Sequence, residues 1–258
     1  MMRSNLYKAS TDPVDLADWT TALPAEVHAQ TTDGLALTGY FWRGDREDRD
    51  VIIFFHGRGA HQGVGAKYAE YMTGHGDHVL VASYRGFGGN PGEPNQEALL
   101  RDGQAFVRLA RQIVGRNAAI YLTGHSLGGA VALHVAAIED VAGVISLSTF
   151  DKLEDAAPAY LRRLLPDAWD NLAAIRKVDE PVLVVHGGAD EQVDAGQAVR
   201  LFDRANTPAA LLLIEQAAHK PSMGKLAPII TEAVEAIDGA GLNTFPAHLP
   251  PGWSVRTK

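Results

Sequence analysis

The sequence predicts an α/β fold built on a mostly parallel, doubly wound sheet that begins with an antiparallel hairpin. Three observations carry this. Short, continuous apolar runs rich in β-branched residues recur along the chain, as strands buried on both faces do. Helix-like stretches separate them, and strand–helix alternation is the pattern of a parallel sheet with helices on both faces. Ahead of them, Asp33-Gly34 sits between two alternating segments, which is a hairpin signal.

Taken in order, Glu26 to Thr32 and Leu35 to Trp42 form the hairpin. Strands follow at Val51–Phe55, His78–Ala82, Ala119–Leu122, Val144–Leu147, Pro181–Val185 and Ala210–Ile214. Helices are expected at 66–74, 95–115, 127–138, 194–206 and 223–238. The segment 150–180 reads as a short, partly helical, cap-like insertion broken at Pro158 and Pro166. The tail 240–258, with Pro246, Pro250 and Pro251, is expected to lie across the surface. At 258 residues, one domain accommodates all of this, spanning 1–258.

Composition narrows the function. The chain has no Cys, which excludes disulfides, thiolate metal sites and a Cys nucleophile. A formal charge of −8 argues against nucleic acid as a partner. No apolar run approaches the roughly 20 residues of a membrane span, and the first residues carry no apolar core behind their basic groups. The expectation is a cytoplasmic protein acting on a small molecule.

Ligands of a parallel sheet bind at the carboxyl ends of its strands, and four loops there carry chemistry. Gly124-His125-Ser126-Leu127-Gly128 follows a strand and opens an Ala-rich helix, the strand–turn–helix context that a G-x-S-x-G nucleophile elbow requires. The bland reading of Ser126 is a helix N-cap. Asp190, in the loop after Val185, is the candidate to orient a histidine, with Asp194 as runner-up acid and the better helix cap. His219 follows the last strand and precedes Pro221, which suits a loop ahead of a helix. The order Ser126, Asp190, His219 is one known order of a Ser–His–Asp triad. His28, His61, His75, His78, His134 and His248 read as surface or packing residues, and His186 as a strand-end residue ahead of the acid's loop. The fourth loop, His56-Gly57-Arg58-Gly59, can turn close to the nucleophile. The backbone N–H groups of Arg58 and Leu127 lie where an oxyanion hole needs donors. The Arg58 side chain has two readings, a solvated arginine or a cation at the site mouth that attracts an acidic substrate group.

These motifs, with Ser83-Tyr84-Arg85-Gly86-Phe87-Gly88 and Phe150-Asp151, resemble the α/β-hydrolase superfamily over residues 50–225. The likeness is strongest to the small-cap BEM46-like and ABHD13/ABHD17-like hydrolases with a Tyr-Arg-Gly-Tyr/Phe-Gly loop. The resemblance implies an α/β-hydrolase fold with a minimal cap, and hydrolysis of a carboxylic ester or thioester through a serine acyl-enzyme, without a cofactor. No Cys-rich N-terminus of the kind that anchors ABHD17-like depalmitoylases is present. A peptidase or amidase on the same triad, and a non-catalytic binding protein on the same fold, remain as alternatives. Epoxide hydrolases and dehalogenases of this fold need an acid where Ser126 stands. Leu153, Tyr160, Leu161, Leu164, Leu165 and Trp169 are candidates either to line an acyl pocket or to pack on the sheet.

Overall fold

The computed structural model describes residues 2–10, 21–45, 50–156, 160, 162, 165–246 and 248–258. Among the described residues nine strands form one sheet in the order β1-β2-β4-β3-β5-β6-β7-β8-β9. The hairpin is β1 (Ala25–Gln30) and β2 (Ala36–Trp42), paired antiparallel. The parallel strands are β3 (Val51–Phe55), β4 (His78–Ala82), β5 (Ile120–His125), β6 (Gly143–Leu147), β7 (Val182–Gly187) and β8 (Ala209–Ile214). Antiparallel pairing of β2 with β4 joins the hairpin to this core.

The apolar runs are strands because their alternate residues find apolar partners on opposite faces. Ile53, Phe55, Leu122 and Val184 point to one buried cluster, with Phe106, Val131 and Leu201 from helices on that side. Ile52, Phe54, Ile145 and Leu183 point to the other, with Ala66, Leu226 and Ile230. The first set comes from α3 (Gln96–Val114), α4 (Leu127–Ala136) and α7 (Ala195–Arg204), and the second from α2 (Gln62–Ala69) and α8 (Met223–Asp238). Both faces of the sheet are therefore dry, as continuous apolar strands require.

Local chemistry sets most helix starts. Asn95 caps α3 by accepting from the Ala98 amide at 3.0 Å, and Asp194 caps α7 by accepting from Gly196 at 2.9 Å. The helix expected at 66–74 begins earlier, at Gln62, and ends in a 3-10 turn over Glu70–Met72. Its cap is an imidazole, with His61 Nδ1 accepting from the Gly63 amide at 3.1 Å, and Gly63 and Gly65 hide the start from propensity. The tail also departs from expectation. Trp253–Thr257 forms β9, an antiparallel edge strand on β8. The three prolines ahead of it mask a short segment whose alternate side chains are half-buried. Within 150–180, α5 (Leu153–Ala156) and α6 (Asn171–Ile175) are present, whereas Pro158, Leu161 and Leu164 fall outside the described residues. A further short helix, α1 (Met2–Tyr7), packs near the carboxyl ends of the strands. Among the described residues no helix is long and apolar enough to cross a membrane.

Buried histidines make stability pH-dependent. Burial lowers the pKa of His56, His125 and His134 from an ordinary 6.5 to about 4. The unfolded chain therefore binds more protons than the folded one between those values, so stability falls as pH drops through that window. Asp50 acts in the opposite sense. Burial and the neighbouring Asp238 raise it to about 6, so its neutral form favours the fold as pH falls. Three groups outweigh one. Calorimetry is expected to show Tm at pH 5 below that at pH 7 by roughly 5–10 °C; a Tm that rose would mean the histidines are not held neutral.

Candidate active site

The turn between β5 and α4 holds Ser126 at φ 54° and ψ −114°. A left-handed backbone at a non-glycine residue is strained, of order 1–3 kcal/mol, and survives only where its surroundings dictate it. They do so here. The Ser126 amide donates to Leu147 O at 2.8 Å, and the Gly129 amide donates to Ser126 O at 3.0 Å. A Cβ on Gly124 would lie 2.2 Å from Gly128 O, and one on Gly128 would lie 2.0 Å from Phe55 O. The glycines on either side of the serine are therefore required by close backbone packing. Ser126 emerges half-buried at the wall of a cavity of about 920 Å³.

His219 lines the same cavity. Its Nδ1 lies 2.8 Å from Asp190 Oδ2. Asp190 keeps its side chain out of solvent, and its other oxygen accepts from the amides of Gln192 at 2.8 Å and Val193 at 3.0 Å. Burial pushes this carboxyl up, but the Val193 amide, His219 and the Gln192 amide outweigh it and hold Asp190 below its ordinary value. An ionised acceptor on Nδ1 places the imidazole proton there and leaves Nε2 with a lone pair. Asp194 is occupied as the α7 cap, so the geometry joins His219 to Asp190 rather than to the runner-up acid.

Arg58 and Leu127 also line the cavity. Neither amide has a hydrogen-bond partner among the described residues. For Leu127 this follows from its place in the first turn of α4, where N–H groups have no intrahelical acceptor. A Cβ on Gly57 would sit 3.0 Å from His125 Nδ1 and 3.5 Å from Ser126 Cβ, which shows how closely the β3 loop approaches the elbow. Among the described residues no group of three or more His, Asp or Glu is placed to hold a metal.

Two histidines hold the site from behind. His125 Nε2 lies 2.8 Å from His219 O, and burial keeps its ring neutral, so the Nε2 proton donates to that carbonyl. His186 Nε2 lies 2.9 Å from Val193 O and 3.3 Å from Asp190 Oδ2, with burial lowering its pKa also. The sequence marked both positions, one inside the elbow and one ahead of the acid's loop, but not these contacts.

No local motif marks the N-terminal segment as part of the site, yet it forms one wall of the cavity. Asn5, Leu6 and Lys8 line the cavity beside Leu153, Leu165 and Trp169, whereas Tyr160 is exposed. Tyr7 anchors the segment. Its wholly buried hydroxyl donates to Asp167 Oδ2 at 2.9 Å and accepts from Trp169 Nε1 at 3.1 Å. Tyr7→Phe leaves Trp169 Nε1 without that acceptor in a dry environment, and is expected to lower unfolding free energy by about 1–3 kcal/mol in a urea titration. No change would show that α1 is not docked through this hydroxyl.

A strained serine after β5 of a parallel sheet, with an acid after β7 and a histidine after β8, is the arrangement of the α/β-hydrolase fold. Comparison with known proteins agrees. Residues 46–166 match the profile of Hydrolase_4, described as serine aminopeptidase, S33. An uncharacterized protein of Mycobacterium tuberculosis is 33% identical over 226 residues, covering 84% of this chain and 80% of that protein. Human alpha/beta hydrolase domain-containing protein 17B is 27% identical over 196 residues, covering 74% of this chain and 67% of the human protein. The Pyrococcus furiosus esterase Pf2001 superposes with a TM-score of 0.70 at 16% identity, over 90% of this chain and 100% of that one. The chain belongs to the α/β-hydrolases of the BEM46/ABHD type.

Proposed function

We propose that the chain is a serine hydrolase that cleaves carboxylic ester or thioester bonds through an acyl-enzyme. The observation that carries this reading is the 2.8 Å contact between His219 Nδ1 and the buried Asp190, with the strained Ser126 in the same cavity. His219 Nε2 takes the Ser126 proton as Oγ attacks the substrate carbonyl. The amides of Arg58 and Leu127 hold the oxyanion, and His219 then protonates the leaving alcohol or thiol. Water, deprotonated by His219, releases the acid. Asp190 stays ionised throughout and stabilises the imidazolium.

Structural neighbours named as esterases, from Pyrococcus furiosus and Rhodothermus marinus, support this reading. The family's description as a serine aminopeptidase favours a second reading, an amidase on the same triad. Fluorophosphonate labelling, with turnover of p-nitrophenyl esters from acetate to palmitate and of aminoacyl anilides, separates them. Labelling with ester turnover supports the proposal, anilide turnover without ester turnover favours the amidase, and tight ligand binding without labelling favours a non-catalytic protein.

A further inference from the structure

Among the described residues, the Lys, Arg, Asp and Glu side chains that line the cavity are all of one sign. Lys8, Arg58 and Lys220 line it, and among the described residues no Asp or Glu does. The whole chain has the opposite balance, with 31 Asp and Glu against 23 Lys and Arg. Asp190 touches the ring of His219 but lies behind it with its side chain buried. The three cations come from separate parts of the chain: Lys8 follows α1, Arg58 follows β3, and Lys220 follows His219. All three residues are exposed, and none has a carboxylate partner among the described residues. Arg58 Nη2 donates to Asn5 O at 3.0 Å, which fixes the guanidinium at the rim without neutralising it. Beside them lies an apolar wall of Leu6, Phe150, Leu153, Leu165 and Trp169.

Cations that line one cleft without carboxylate partners make it positive, and low-dielectric walls focus that field into the cleft. A bound anion meets complementary charge there, and the apolar wall takes a hydrocarbon segment. We propose that the substrate is an ester or thioester that carries an anionic group as well as an apolar acyl chain. This rests on the hydrolase reading above and names the substrate class. It assigns to the Arg58 side chain the second of its two sequence readings, that of a cation facing an acidic group.

Two matched substrate pairs test it, one with the anion on the acyl chain and one with it on the leaving group. The first is mono-p-nitrophenyl adipate against p-nitrophenyl hexanoate. The second is hexanoyl-coenzyme A against S-hexanoyl-N-acetylcysteamine. In at least one pair kcat/KM for the anionic member is expected to exceed that of the neutral member about tenfold at low ionic strength. The ratio should shrink between about 20 mM and about 0.5 M NaCl. It should also fall severalfold in the Lys8→Gln/Lys220→Gln variant, mainly through KM, and persist in Lys177→Gln, which removes a charge outside the cavity. The pair that responds identifies which end carries the anion. Neutral members turned over as well as anionic ones in both pairs, or a ratio indifferent to salt and to the double substitution, overturns the inference while leaving the hydrolase intact. Loss of all ester turnover and of fluorophosphonate labelling in the unaltered protein overturns both.

Discussion

Ser126→Ala is expected to lower kcat on a p-nitrophenyl ester by roughly 10⁶-fold, with Tm almost unchanged. The two halves of this expectation have separate causes. On the proposed mechanism chemistry stops because the only atom lost is the nucleophile; the amides and the imidazole remain but have no acyl acceptor to act on. Stability holds because the Ser126 side chain makes no capping hydrogen bond to α4, while the turn is fixed by backbone contacts to Leu147 O and from Gly129 N. Alanine inherits the same positive φ and leaves no orphaned partner. Asp190→Asn should cost about 10⁴-fold, since an amide nitrogen facing Nδ1 selects the wrong imidazole tautomer. Asp194→Asn keeps kcat, because that side chain caps α7 and does not reach His219. Steady-state rates with active-site titration by a fluorophosphonate measure all three. Ester turnover that survived Ser126→Ala would end the nucleophile assignment, and equal losses from Asp190→Asn and Asp194→Asn would end the assignment of the acid.

Arg85→Met is expected to lower unfolding free energy by about 3–5 kcal/mol. Arg85 is almost fully buried and is gripped from two sides. Its Nη2 donates to Asp102 Oδ1 at 2.6 Å, its Nε to the same oxygen at 2.9 Å, and its Nη1 to Asp33 Oδ2 at 2.7 Å. Its own backbone amide donates to Asp102 Oδ2 at 3.0 Å. Asp33 is the hairpin turn and Asp102 lies on α3, so one guanidinium ties three elements together. Removing it strands the wholly buried Asp102 carboxylate. Asp102→Asn should cost a similar amount for the converse reason. The double variant Arg85→Met/Asp102→Leu should be less damaged than the sum of the singles, because no buried charge is left unmatched at that contact. The loop also bears on the site. The adjacent Ser83 Oγ lies 3.0 Å from His56 Nε2, and Tyr84 Oη donates to His56 O at 3.0 Å, immediately before Gly57 and Arg58. Urea titration gives the stability change; a loss under about 1 kcal/mol would show that the clamp is solvated and only decorative.

The parallel sheet, the hairpin and the four strand-end loops were readable from local pattern. A strand buried on both faces must be apolar throughout, as Val51–Phe55 and Ala209–Ile214 are, and a tight hairpin needs the left-handed freedom that Gly34 supplies at φ 88°. The elbow was readable because its steric demands fall within five consecutive residues. What had to wait for the tertiary structure was every feature made by chain segments far apart in sequence. Which of Asp190 and Asp194 meets His219 is one case, since both follow β7 and only packing sets where His219 lies. The neutral donor His125, the Arg85 clamp and the edge strand after Pro251 are others. So is the closure of the cavity by α1, where Tyr7 meets Asp167 and Trp169. Local patterns encode which face of an element is buried, because burial repeats with the helical or strand period. They carry no comparable trace of a single hydrogen bond or ion pair across a hundred residues, which exists only once packing has brought its two ends together.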